Sequence, residues 1–184
     1  MTCSCEGWLP TDAADMWCAI VPQKALARAK SRIALLAAPR RDPAAAMLRD
    51  TVSALEVTPA IGHVFVVWDD DADMGELPET ETLHPLAATG LDLNHSVELG
   101  AARARRAMPG SHVVVVPSDL PALDPTELAT FLDRAGRFCR AFVPDADKDG
   151  TSVLTATGHS PLRASLRREL ADAPPGLRRA RACE

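Results

Sequence analysis

The stretch His112-Val113-Val114-Val115-Val116-Pro117-Ser118-Asp119-Leu120-Pro121 decides how the rest of the chain is read. Four consecutive valines are β-branched and lose side-chain freedom in a helix. An uninterrupted apolar run also shows valine to both sides of a pleated backbone. That is the signature of a strand buried on both faces, in a largely parallel sheet covered by helices. The run stops at Pro117, and Asp119 follows at the carboxyl end of the strand, where open α/β sheets hold their ligands. An aspartate after a strand can instead cap the next helix. Here Asp124 already stands at that N-cap with Pro125 at the first helical position, which leaves Asp119 to chemistry.

Toward the amino end, Trp17-Cys18-Ala19-Ile20-Val21 is a strand-length apolar run ending at Pro22. The next ten residues, from Gln23 to Arg32, place Lys24, Lys30 and Arg32 in a loop and helix just beyond a strand's carboxyl end. Free amides at a helix start and flexible cations together suit phosphates. The glycines of a P-loop are missing, and the segment also reads as a solvated helix face with basic residues at helical spacing. From Pro43 to Leu55, Ala46, Met47, Val52 and Leu55 recur with a helical period around Arg49 and Asp50, predicting a crossover helix. Ile61 to Trp68 is a second buried strand, so strand, helix and strand make a right-handed parallel unit. The acidic run Asp69-Asp70-Asp71 reads as a loop, because three successive residues do not all point at one cation.

Leu83 to Leu86 predicts a short third strand near the sheet edge, and a helix is expected from about Asn94 to Met108. Asn94 is either its N-cap or a polar reader of a nucleotide. Beyond the valine strand come a helix over 124–136, a strand from Ala141 to Asp145, and an apolar run from Val153 to Ala156. Asp145, Asp147 and Asp149 alternate as in a calcium loop, but no carboxylate stands at the twelfth position of that motif. Gly150, Thr151 and Ser152 instead offer close backbone approach and hydroxyl donors to an anion.

At 184 residues the chain suits one domain, with residues 1–15 as a loose leader and 16–184 as a single mostly parallel α/β domain. A net charge of −5 disfavours a general nucleic-acid surface, so an anionic ligand has to be held locally. No apolar run reaches the length of a bilayer span, which argues against a membrane partner, and no signal-peptide pattern precedes Trp17, so a cytoplasmic location is expected. The five cysteines are odd in number and scattered, which argues against a disulfide framework. Cys3-Ser4-Cys5 has the wrong spacing for a zinc half-site.

Taken in order, Ile20-Val21-Pro22-Gln23-Lys24 with Lys30-Ser31-Arg32, Leu91 to Asn94, Pro117-Ser118-Asp119-Leu120-Pro121, and Pro144-Asp145 with Gly150-Thr151-Ser152 resemble the CofC/FbiD family of guanylyltransferases. The resemblance covers roughly residues 17 to 156. It implies a nucleotidyltransferase-type α/β sheet and transfer of GMP from GTP to a phosphorylated three-carbon acid, phosphoenolpyruvate or 2-phospholactate. Pyrophosphate is released in that reaction, which belongs to biosynthesis of the deazaflavin cofactor F420. Carried over by motif, Lys24, Lys30 and Arg32 would hold the GTP phosphates with Pro22 and Ser118 beside them, and Asn94 would contact the nucleotide. Asp119 would bind Mg²⁺, with Asp145 as a second candidate ligand, and Gly150, Thr151 and Ser152 would hold the acid.

The family's closing aspartate-x-aspartate pair has no counterpart among the arginines and alanines that follow Gly176, leaving Asp145, Asp147 and Asp149 as the nearest substitutes. A truncated relative that binds nucleotide or a partner protein without turnover is therefore a second expectation, with a homodimer covering the exposed surface. A nucleotidyltransferase for another phosphorylated substrate is a third.

Overall fold

The computed structural model describes residues 16–23, 43–68, 77–88, 90–144, 151–158 and 160–162. Six strands and three helices lie among them: β1 (Trp17–Gln23), α1 (Pro43–Glu56), β2 (Ile61–Trp68), β3 (Leu83–Ala87), α2 (Leu93–Ala107), β4 (His112–Val115), α3 (Pro125–Ala135), β5 (Arg140–Pro144) and β6 (Thr151–Ala156). The strands form one sheet in the order β3-β2-β1-β4-β6-β5. The first four are mutually parallel, and β6 runs antiparallel to both β4 and β5. The mostly parallel α/β sheet expected from the sequence is thus present, with β6 as its exception.

Period-two alternation along the central strands divides the core into two layers. Trp17, Ala19 and Val21 of β1, with Val114 and Val116, pack on the side of Leu48, Val52 and Leu55 from α1 and Leu128 and Leu132 from α3. Cys18, Ile20, Val113 and Val115 face the other way, against Val97, Ala101 and Ala104 of α2. The four valines of the opening stretch are all at most 3% exposed. Burying each is worth about 1.5–3 kcal/mol, so the two-sided run is what commits this segment to the sheet centre.

Several details differ from the sequence expectation. β1 does not end at Pro22 but continues to Gln23. The Ile20 carbonyl faces β4 and accepts from the Val116 amide at 3.0 Å. Pro22, two residues on, turns its donorless nitrogen to the same side, beyond the last β1–β4 pair, where no ladder bond is lost. The buried stripe of α1 is Leu48, Thr51, Val52 and Leu55, whereas Ala46 and Met47 are only half-buried. The N-cap of α2 is Asp92 and not Asn94: the Asp92 carboxylate accepts from the His95 amide at 2.9 Å, and Asn94 is exposed in the first turn. The α3 cap follows the expectation, with the Asp124 carboxylate accepting from the amides of Thr126 at 2.8 Å and Glu127 at 3.0 Å. Cys139 is disulfide-bonded, so the odd cysteine count does not exclude a disulfide. Cys18 is a buried free thiol whose pKa is pushed up by burial, opposed by its contact with Ser111 Oγ at 3.4 Å, which makes it a core residue and not a nucleophile.

Candidate active site

Four parallel strands leave their carboxyl ends at one edge of the sheet, and the remaining elements add to that same edge. Because β6 is antiparallel to β4, with Leu154 opposite Val115 and Ala156 opposite Val113, its first residues lie level with the chain leaving β4. Pro144 pairs with Thr151, so the carboxyl end of β5 arrives there too. The start of α2 is brought to the edge by a short connection in which the Ala88 amide donates to the Trp68 carbonyl at 2.7 Å and the Leu91 amide to the Ala88 carbonyl at 3.2 Å. Asp92 then caps the helix, and hydrogen bonds from the His95 amide and ring hold its exposed carboxyl below the usual range.

The loop after β4 forms the middle of this edge. Val116 remains buried and bonded to β1, Ser118 is half-buried, and Asp119 is exposed. Leu120 and Leu123 turn back onto the α1–α3 core, and the Leu123 amide donates to the Leu120 carbonyl at 3.1 Å. From the helix beneath, the Thr51 hydroxyl donates to the Ser118 carbonyl at 3.3 Å and accepts from the Leu120 amide at 3.2 Å. The two residues that flank Asp119 are therefore fixed by one buried side chain. With the cap of α3 filled by Asp124, Asp119 is left exposed on a short, pinned loop at the carboxyl edge of the sheet.

Topology thus assembles Pro22, Asn94, Ser118, Asp119 and Ser152 along one sheet edge, although they lie up to 130 positions apart in sequence. Thr151 joins them by its backbone position at the start of β6. Lys24, Lys30, Arg32, Asp145 and Gly150 lie outside the described residues. Among the described residues there is no group of three or more His, Cys, Asp or Glu side chains able to hold a metal by themselves. No helix among them is long and apolar enough to cross a membrane. Sequence reasoning missed Thr51. Its signal was a lone hydroxyl on an otherwise apolar helical stripe, three residues after Leu48 and four before Leu55.

Comparison with known proteins agrees with this architecture. A family model described as guanylyl transferase CofC like matches residues 17–166. A phosphoenolpyruvate guanylyltransferase from Streptomyces coelicolor is 44% identical over 141 residues, covering 76% of this chain and 66% of the relative. One of the same name from Geodermatophilus obscurus is 39% identical over 153 residues, covering 79% of this chain and 69% of the relative. The chain therefore spans about two thirds of the length of these relatives. Among solved structures, one described as a nucleotide-diphospho-sugar transferase from Desulfovibrio desulfuricans superposes with a TM-score of 0.61 at 21% identity, covering 80% of this chain and 65% of the other. A nucleotidyl transferase from Methanothermobacter thermautotroptrophicus gives 0.52 at 16% identity over 92% and 88% of the two chains. At such identities the structural likeness speaks for the fold alone.

Proposed function

The chain belongs to the CofC-like guanylyl transferase family, and on that premise we propose that it transfers GMP from GTP to a small phosphorylated acid, phosphoenolpyruvate or 2-phospholactate, releasing pyrophosphate. The observation that carries this reading is the exposed Asp119 on a pinned loop at the sheet edge where β1 ends at Pro22 and Gln23, α2 begins around Asn94 and β6 begins around Ser152. A phosphate oxygen of the acid attacks the α-phosphorus of GTP, the new P–O bond forms as the bond to the β-phosphate breaks, and the electron pair leaves with pyrophosphate. No side-chain nucleophile is required, so positioning and charge neutralisation are what the protein has to supply.

Lys24, Lys30 and Arg32, which follow β1 in the chain, are assigned to the triphosphate, where cations offset the charge that grows on the leaving group. Pro22 and Ser118 are assigned beside them, and Asn94, exposed in the first turn of α2, is assigned to the nucleotide. Thr151 and Ser152 at the start of β6, with Gly150 before them in the sequence, are assigned to the acid. A single exposed carboxylate fits Mg²⁺, which takes one or two carboxylates and fills its remaining positions with phosphate oxygens and water. Asp119 would hold it, with Asp145 as the second candidate, and the bound ion would neutralise and orient the phosphates. The proposed setting is the cytoplasm.

The test is incubation of the purified protein with GTP, Mg²⁺ and each acid in turn. Pyrophosphate release with either acid is expected, and its absence with both overturns the reading. One competing reading is a relative that binds nucleotide without turning it over. GTP binding without pyrophosphate release would support that reading, and release only with a sugar phosphate would point to a different acceptor.

A further inference from the structure

Thr51 lies in the middle of α1 and is fully buried, with Leu48, Val52 and Leu55 on the same stripe. A hydroxyl in such surroundings is costly unless it is hydrogen-bonded. Threonines usually meet that need locally, by donating to the carbonyl four residues back. Thr58 does so to Ala54 at 2.8 Å, and Thr130 to Thr126 at 2.9 Å. Thr51 spends its hydroxyl instead on a segment 67 to 69 residues away, donating to the Ser118 carbonyl and accepting from the Leu120 amide. Donor and acceptor capacity are both used, and the two partners are the residues on either side of Asp119.

We propose that Thr51 is a positioning residue for Asp119: its hydroxyl bridges the backbone before and after that aspartate and holds the loop in the conformation that presents the carboxylate to the reacting phosphates. The inference rests on the proposed metal-binding role of Asp119. Helix α1 is in turn anchored by its apolar stripe in the core shared with β1 and β4, so the loop is referred to the rigid centre of the sheet. Removing the bridge frees the loop without altering any group that touches substrate. Small misplacements of that kind are costly to catalysis even when their origin is remote from the chemistry.

The test compares Thr51→Val, which keeps the shape and loses the hydroxyl, with Thr51→Ser, which keeps the hydroxyl. In pyrophosphate-release assays run well below every variant's Tm, Thr51→Val is expected to lower kcat at least about 10-fold with little change in KM for GTP. Thr51→Ser is expected to restore most of that loss. Combined with Asp119→Asn, Thr51→Val should add no further loss, because it acts through Asp119. A lower Tm with unchanged kcat in Thr51→Val, or a full additional loss in the double variant, overturns the proposal. Near-normal turnover in Asp119→Asn would instead sink the metal-binding role of Asp119. Should the wild-type protein turn over neither acid, hydrogen exchange at the Leu120 amide decides: protection lost in Thr51→Val and kept in Thr51→Ser supports the bridge, and equal protection in both overturns it.

Discussion

Across the β2–β3 pair, Nδ1 of His63 lies 3.0 Å from Nε2 of His84, with the two rings stacked at 5.2 Å. One ring donates and the other accepts, an arrangement that two protonated rings cannot make. The pair sits near the amino end of β2, away from the carboxyl edge that carries Asp119, and the His84 ring also packs on Phe65 at 4.7 Å. Burial holds the pKa of His84 below its ordinary value, the neighbouring His63 adds to the effect, and Glu79 opposes it.

The sign of the resulting pH dependence follows. In the unfolded chain His84 titrates near its ordinary value of about 6.5, so just below that pH the unfolded state holds the extra proton. Stability is complete above that value and falls as pH drops toward the lower folded value. Melting temperatures recorded from about pH 7.5 down to about 5.5 should decline on the acid side, and His84→Leu should flatten part of that decline. An unchanged acid slope in the variant would refute the assignment.

Asp119 and Asp124, five residues apart, are expected to respond in opposite ways. Asp119→Asn keeps the size of the side chain but removes the charge, and turnover should fall by about 10²-fold or more while Tm holds. Asp124→Ala removes the α3 cap and should cost about 1 kcal/mol, or a few degrees in Tm, with turnover of the folded protein unchanged. Pyrophosphate release and thermal unfolding measured on the same preparations separate the two, and exchanged phenotypes would make Asp119 the structural residue and Asp124 the functional one.

Chelation of divalent metal is expected to stop pyrophosphate release, and added Mg²⁺ to restore it. The Tm of the ligand-free protein should not move, because among the described residues no cluster of ligands is suited to a structural ion. A large loss of Tm on chelation would mean that a metal is part of the fold.

Gly100 and Gly136 offer a paired packing test. A Cβ on Gly100, midway along α2, would lie 2.6 Å from Ile20 Cγ2 and 2.9 Å from Val67 Cγ2, both held in the core. Alanine in a helix interior normally gains about 1 kcal/mol over glycine, but overpacking of this kind costs about 1–3 kcal/mol. Gly100→Ala should therefore come out destabilising by denaturant titration. At Gly136 the nearest atom would be the Leu132 carbonyl oxygen at 3.5 Å, and the backbone has ordinary helical angles, φ −56° and ψ −19°. Gly136→Ala should be neutral or mildly stabilising.

Features that depend on near neighbours in the chain are legible in the sequence alone. The four valines from 113 to 116 require two apolar layers because alternate side chains of a strand face opposite ways, and the layers are those of α1 with α3 and of α2. The Asp124-Pro125 start of α3 needs only local backbone chemistry, as does the buried run from Ile61 to Trp68. Local reasoning does not choose between Asp92 and Asn94 as the α2 cap, since both residue types cap equally well and the connection from β3 decides where the helix starts. The antiparallel course of β6 is hidden as well, because strand direction leaves no trace in a period-two pattern.

The site itself divides in the same way. Asp119 announces its position by following a buried strand, a relation confined to a few residues. Its support does not: Thr51 and the backbone groups of Ser118 and Leu120 are more than sixty residues apart, and a hydroxyl in a helix carries no mark of a distant partner. Only packing α1 against β1 and β4 brings them within hydrogen-bonding distance, so it is the tertiary fold that ties the backbone on both sides of an exposed aspartate to the core.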